Sequence, residues 1–104
     1  GDLSVRAIHT PGHTKGSTCL LMNGHLFTGD TLFPGGPGKT KTPDNLKQII
    51  ESITSRLFIL GDDISFYPGH GNDGVLGTAK KEYKVYSSKT HPDDLCGDVE
   101  WLKS

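Results

Sequence analysis

A chain of 104 residues has room for one domain, and with apolar residues at 33% against 14 glycines and 6 prolines it must spend much of its length in turns. A formal charge of -1, a pI near 6.6 and scattered charges of both signs give no field that would gather nucleic acid or an anionic membrane, so neither is expected as a partner. No apolar run approaches the ~20 residues that cross a bilayer, and Gly1-Asp2-Leu3-Ser4 lacks the regions of a signal peptide, so a cytoplasmic location is expected.

In chain order, residues 4–9 alternate weakly through Val5 and Ala7 and stop at Pro11-Gly12, which predicts a strand feeding a tight loop. Thr18-Cys19-Leu20-Leu21-Met22 and His25-Leu26-Phe27-Thr28 flank Asn23-Gly24, the pair that favours a two-residue hairpin. Thr42 can cap a helix whose first position suits Pro43, with Asp44 near the positive end of the dipole. Leu46, Ile49, Ile50, Ile53 and Leu57 then form one apolar stripe, predicting the main helix over about residues 43–56.

A turn at Gly61-Asp62-Asp63 leads into a predicted strand, Ile64-Ser65-Phe66-Tyr67. Further on, Tyr83 and Val85 alternate with Lys84 and Tyr86, and Val99 and Trp101 with Asp98 and Glu100, which predicts a C-terminal β-hairpin across the intervening loop. The sum is a loop-rich α/β or α+β domain with a mixed sheet. Cys19 and Cys96 have no partner at metal or redox spacing and read as structural thiols, which disfavours a disulfide-linked or metal-stapled binding domain.

Three phrases carry the chemistry. Thr10-Pro11-Gly12-His13-Thr14-Lys15-Gly16-Ser17, Thr28-Gly29-Asp30-Thr31-Leu32-Phe33 and Tyr67-Pro68-Gly69-His70-Gly71 each follow a predicted strand and each hold one strong metal-ligand type. Two imidazoles and a carboxylate placed this way can converge at one sheet edge around a divalent cation. A single His after a turn is more often bonded to backbone than to metal; the repeated Pro-Gly-His phrase with Gly-Asp between sets His13, Asp30 and His70 apart. His25 reads as a solvent-facing strand residue, His9 as structural or as support for a ligand, His91 as a loop residue and Asp62-Asp63 as a turn.

The loop Phe33-Pro34-Gly35-Gly36-Pro37-Gly38-Lys39-Thr40 ends as a nucleotide-binding loop does, yet Phe33 stands where its first Gly is needed and Pro34 and Pro37 remove backbone donors. Nucleotide binding is therefore not expected.

Together the phrases resemble the C-terminal half of the metallo-β-lactamase superfamily, in its branch of small glyoxalase II-like hydrolases, over about residues 3–77. The tail from Tyr83 through His91-Pro92-Asp93-Asp94-Leu95-Cys96-Gly97-Asp98 to Trp101 resembles the end of bacterial members. The resemblance implies that His13 completes a first metal site, Asp30 bridges two metals and His70 binds the second, with zinc, or else iron or manganese, as the ion. It implies a metal-bound water as nucleophile, with no Ser or Cys nucleophile, acting on a thioester, ester, lactam or phosphodiester of a small molecule. In related hydrolases the loop after Asp30 borders the substrate entrance, so Phe33 and Lys39 are expected to touch substrate.

The His-x-His-x-Asp-His string that supplies the family's other ligands has no counterpart in this sequence. The resemblance therefore implies half of a four-layered αββα sandwich, with residues 1–104 as a single domain equivalent to the C-terminal half and the N-terminal half absent. Such a half is expected to hold metal weakly or not at all and to be inactive alone. What covers its open sheet face is expected to be a second copy in a homodimer, a separate N-terminal piece, or a remainder lost by truncation. The alternative is a non-catalytic assembly module that keeps the fold without a working site.

Overall fold

The Asn-Gly pair does what its chemistry requires: Asn23 and Gly24 both take positive φ, 50° and 79°, and turn β2 (Thr18–Met22) back antiparallel onto β3 (His25–Gly29). The computed structural model describes residues 4–104, so the first predicted strand falls within the described residues and the Gly1-Asp2-Leu3 start lies outside them. Around this hairpin, β1 (Val5–His9) pairs antiparallel with β2, and β6 (Ser65–Pro68) runs parallel beside β3. With β7 (Gly74–Val75) on the far edge the result is a five-stranded mixed sheet in the order β1-β2-β3-β6-β7. Between β3 and α1, the short pair β4 (Leu32–Phe33) and β5 (Gly36–Pro37) forms a separate ribbon.

Helix α1 (Pro43–Ser52) starts as predicted, with the Asn45 amide donating to Thr42 Oγ1 at 3.1 Å and Pro43 at the first turn. Its end differs. Residues Ile53–Leu57 wind as a π turn, with the Phe58 amide donating to Ile53 O at 2.9 Å. Thr54 and Ser55 hydroxyls donate to the Ile50 and Glu51 carbonyls, competing for the acceptors that an α-helix would use.

The predicted C-terminal hairpin does not form. Residues 83–86 belong to helix α2 (Leu76–Ser87), and residues 98–101 are turn and loop. The alternation at Tyr83–Tyr86 is part of a longer helical stripe: Leu76, Ala79 and Tyr86 are buried and Tyr83 packs beside them, at spacings of three and four. Trp101 reaches that stripe as a side chain, its ring 5.2 Å from Tyr83 and 5.1 Å from Tyr86, both edge-on.

Both helices pack on one face of the sheet. Ile8, Cys19, Leu26 and Phe66 point inward and share a core with Ile49, Ile53, Leu57, Leu76, Ala79 and Trp101. The opposite face carries Val5, Leu20, Phe27 and Val75, each between 40% and 57% exposed, joined across neighbouring strands by the pairings Val5–Met22, Leu20–Phe27 and Phe27–Tyr67. Among the described residues no helix is long and apolar enough to cross a membrane.

Candidate metal centre

All three ligand phrases arrive at one end of the sheet, each by its own turn. The first leaves β1 and passes over α1, where Gly12 at φ 148° lies so close that a Cβ would overlap the Ile49 backbone. The Ser52 hydroxyl donates to Pro11 O at 2.8 Å, and the Thr10 amide closes the loop by donating to Ser17 O at 2.8 Å. His9 has the structural role expected of it: its Nε2 donates to Lys15 O at 2.8 Å, across the same loop.

The second phrase turns out of β3 at Gly29, at φ 50°, with the Thr31 amide donating to Thr28 O at 2.8 Å and the Thr28 hydroxyl to Leu32 O at 2.7 Å. The third leaves β6, whose parallel partner is β3, and the Gly69 amide donates to Gly29 O at 2.8 Å. Asp30 and His70 thus project from the ends of adjacent parallel strands.

The side chains form a row. His13 Nε2 lies 3.7 Å from Asp30 Oδ2, and His70 Nε2 lies 3.6 Å from Asp30 Oδ1, with side-chain exposures of 32%, 50% and 78% for His13, Asp30 and His70. These separations are too long for good hydrogen bonds. They suit a shared cation, because two donors each ~2.0–2.2 Å from a tetrahedral zinc lie about 3.4 Å apart.

The ring of His13 is also held in the right tautomer. Its Nδ1 donates to the Lys39 carbonyl at 2.6 Å, which leaves the Nε2 lone pair facing the carboxylate. Each carboxylate oxygen therefore faces a different imidazole, and the donor set fits a carboxylate shared between two ions. It does not amount to a full cage: among the described residues no three His, Cys, Asp or Glu groups close around one point. Each half of the row offers two protein donors where a catalytic zinc takes about three.

Beneath the row is a buried set of hydroxyls that the sequence reading passed over. Thr10 and Thr31 share a hydrogen bond at 3.0 Å, and Cys19 Sγ lies 3.4 Å from Thr10 Oγ1, so one contact ties the His13 loop to the Asp30 loop. A Thr within each of the first two ligand phrases, Thr10 and Thr31, was the available signal. Burial pushes the Cys19 thiol up, against the smaller pull of the Thr10 and Thr31 hydroxyls, so it stays a neutral structural group.

A cleft of about 540 Å3 opens from the row, and Phe33 and Lys39 both line it. Phe33 also packs on the third ligand, its ring 4.9 Å from that of His70. The far wall is the C-terminal tail, Asp98, Val99 and Glu100. That tail is strapped to the cleft loop by Trp101 N to Gly35 O at 2.8 Å and Gly97 N to Thr40 O at 2.9 Å, and a Cβ at Gly36 would overlap Val99 O. The other histidines lie elsewhere: His25 bonds the Tyr67 hydroxyl at 2.8 Å, and His91 stacks on Tyr86 at 3.9 Å.

Comparison with known proteins bears on the fold and the family. The chain is 40% identical over 106 residues to the probable hydroxyacylglutathione hydrolase glo2 of Schizosaccharomyces pombe, a match covering 96% of this chain and 40% of that protein. Its fold is similar to that of ETHE1 from Myxococcus xanthus, with a TM-score of 0.74 and 31% identity over 86% of this chain and 42% of the other. A di-iron-bound form of TTHA1623 is similar at a TM-score of 0.65 and 27% identity, over 74% of this chain and 40% of that one. The chain thus spans about 40% of the length of three of the curated relatives that it matches. The family model of the metallo-beta-lactamase superfamily matches residues 1–80, and the chain belongs to that superfamily.

Proposed function

We propose that this chain contributes the bridging carboxylate and two flanking imidazoles to a two-metal hydrolase centre of the glyoxalase II type. The observation that carries this reading is the row itself, in which the two oxygens of Asp30 face the Nε2 atoms of two different histidines. Zinc, or iron or manganese in its place, would be held by His13, Asp30 and His70, and supplies a Lewis acid that makes water nucleophilic near neutral pH and steadies charge developing on a carbonyl oxygen.

The chain's own residues set the stage for that chemistry. Asp30 presents one oxygen to each side, and the Lys39 carbonyl orients the His13 ring by accepting from its Nδ1. Phe33 gives the cleft an apolar wall and Lys39 a positive group, the two substrate contacts that we assign. The buried Cys19 is in no position to act as nucleophile. A thioester is the first substrate to test, because the fission yeast relative is named for hydroxyacylglutathione; esters and related bonds come next.

We read residues 1–104 as one domain equivalent to the C-terminal half of the family fold. Two donors per ion is too few for tight binding, so the isolated chain is assigned weak metal affinity and no activity of its own. The missing donors would come from an N-terminal half or a second copy seated on the apolar outer face of the sheet, in a homodimer in the latter case. A cytoplasmic setting suits Cys19 and Cys96, both free thiols. The exposed outer face also supports a second reading, an assembly module without a working site.

Zinc titration of chelator-treated protein separates the two. Weak binding that Asp30→Ala abolishes, with the far-UV circular dichroism spectrum unchanged, supports the hydrolase half. Binding equal in wild type, Asp30→Ala and His70→Ala would favour the module. Size exclusion with light scattering reports whether a second copy covers the sheet.

A further inference from the structure

The two imidazoles of the row are held very differently. His13 is one-third exposed and pinned by a hydrogen bond from Nδ1 to the Lys39 carbonyl, whereas His70 is more than three-quarters exposed and, among the described residues, makes no hydrogen bond through Nδ1. What contacts its ring is Phe33, at 4.9 Å between centroids and 41° between planes. An exposed side chain without such a support samples its rotamers freely, and fixing it on binding metal then costs entropy.

Phe33 is itself well placed to give support. It closes β4 opposite Gly36 of β5, and Gly36 is pressed against the Val99 carbonyl so closely that no side chain fits there. The Trp101 amide holds the neighbouring Gly35 carbonyl at 2.8 Å. The ring that touches His70 therefore stands on a ribbon braced by the C-terminal tail.

We propose that Phe33 is a positioning residue, whose ring seats the His70 imidazole against Asp30 Oδ1. One connection then governs the whole row: residues 30–39 supply the shared carboxylate, orient His13 through a backbone carbonyl and orient His70 through an aromatic face. This inference rests on the metal-site reading above, and it gives Phe33 a duty toward the centre besides its place in the cleft wall.

The test is a double-mutant cycle in zinc affinity, measured by competition with a chromophoric chelator on the whole chain. Phe33→Ala is expected to weaken zinc about tenfold, the lower end of the loss typical for groups that orient a ligand. Phe33→Tyr should stay within about twofold of wild type, and Phe33→Ala should add nothing to His70→Ala. An equal effect of Phe33→Ala with and without His70, or no effect at all, overturns the proposal.

A metal-free measurement keeps it open to refutation should the chain bind no zinc. Three-bond couplings report the χ1 rotamer of His70, which is expected to be single in wild type and Phe33→Tyr and averaged in Phe33→Ala. Averaging already present in wild type overturns the positioning role by itself. Absent zinc binding with an ordered His70 would instead count against the weak affinity assigned to the chain alone and leave the contact standing.

Discussion

The two faces of the five-stranded sheet are built from the same alternating pattern and meet opposite fates. On the inner face Cys19, Leu26 and Phe66 are sealed by the helices, while on the outer face Leu20 and Phe27, their neighbours in sequence and space, stay 42% and 40% exposed, with Phe27 stacked on Tyr67 of the same sheet and no helix over that face among the described residues. An alternating strand says that one side is apolar; here both sides are, as in sheets covered on each face. The difference teaches that this chain seals the inner face and leaves the outer one open, the face on which we propose a partner.

The comparison is broken most severely from the inside. Leu26→Ala removes a fully buried side chain from the middle of the core and is expected to destabilise the fold by ~2–5 kcal/mol, read from urea denaturation. Unchanged stability would mean that the inner face is not the core. Thr31→Val is next: it leaves the buried Thr10 hydroxyl short of a partner, at a cost of about 1–3 kcal/mol, and should loosen zinc binding because the two ligand loops lose their tie.

A smaller effect comes from the thiol on the inner face. Because burial raises the Cys19 pKa above its ordinary value, the unfolded chain gives up that proton first as the solution turns alkaline. The folded state is therefore favoured fully below the usual thiol pKa and loses that advantage as pH climbs through the raised value. Denaturation midpoints taken from pH 8 to 10.5 should fall more steeply for wild type than for Cys19→Ala, and parallel slopes would refute the linkage. Tyr86, raised by burial and by the nearby Tyr83, acts in the same direction and remains in both proteins.

The outer face should respond least in stability and most in association. Phe27→Lys is expected to lower the unfolding free energy by no more than ~1 kcal/mol, since what the side chain loses is its cross-strand packing on Tyr67 and Leu20. The same change should abolish any dimer seen by light scattering, because it sets a charge in the centre of the apolar band. A dimer that persists would place the contact elsewhere.

Much of this was legible in the residues. Asn23-Gly24 specified the hairpin, Thr42-Pro43 specified the start of α1, and the Pro-Gly-His and Gly-Asp phrases lead to a single row at one end of the sheet. The C-terminal element was misread for a definable reason. Over four residues such as Tyr83–Tyr86, periods of 2 and 3.6 are hard to tell apart, and α2 begins at Val75 without a side-chain cap to announce it. The tail's place at the cleft was not legible because it rests on backbone bonds to Gly35 and Thr40, which no side-chain pattern encodes.

Asp30 and His70 emerge from neighbouring parallel strands clasped by the bond between Gly69 and Gly29, so the sheet's own repeat of ~4.8 Å is the ruler that spaces them. The connection from one of these strands to the other contributes Phe33 through Lys39 to one side of the cleft, opposite the tail residues Asp98, Val99 and Glu100. Its tip is tied down, at Gly35 by the Trp101 amide, at Gly36 by close approach to the Val99 carbonyl and at Gly38 by the Thr31 carbonyl. The spacing of the row is thus written in the sheet, and the outline of the cleft in a loop whose glycines leave it little room to change.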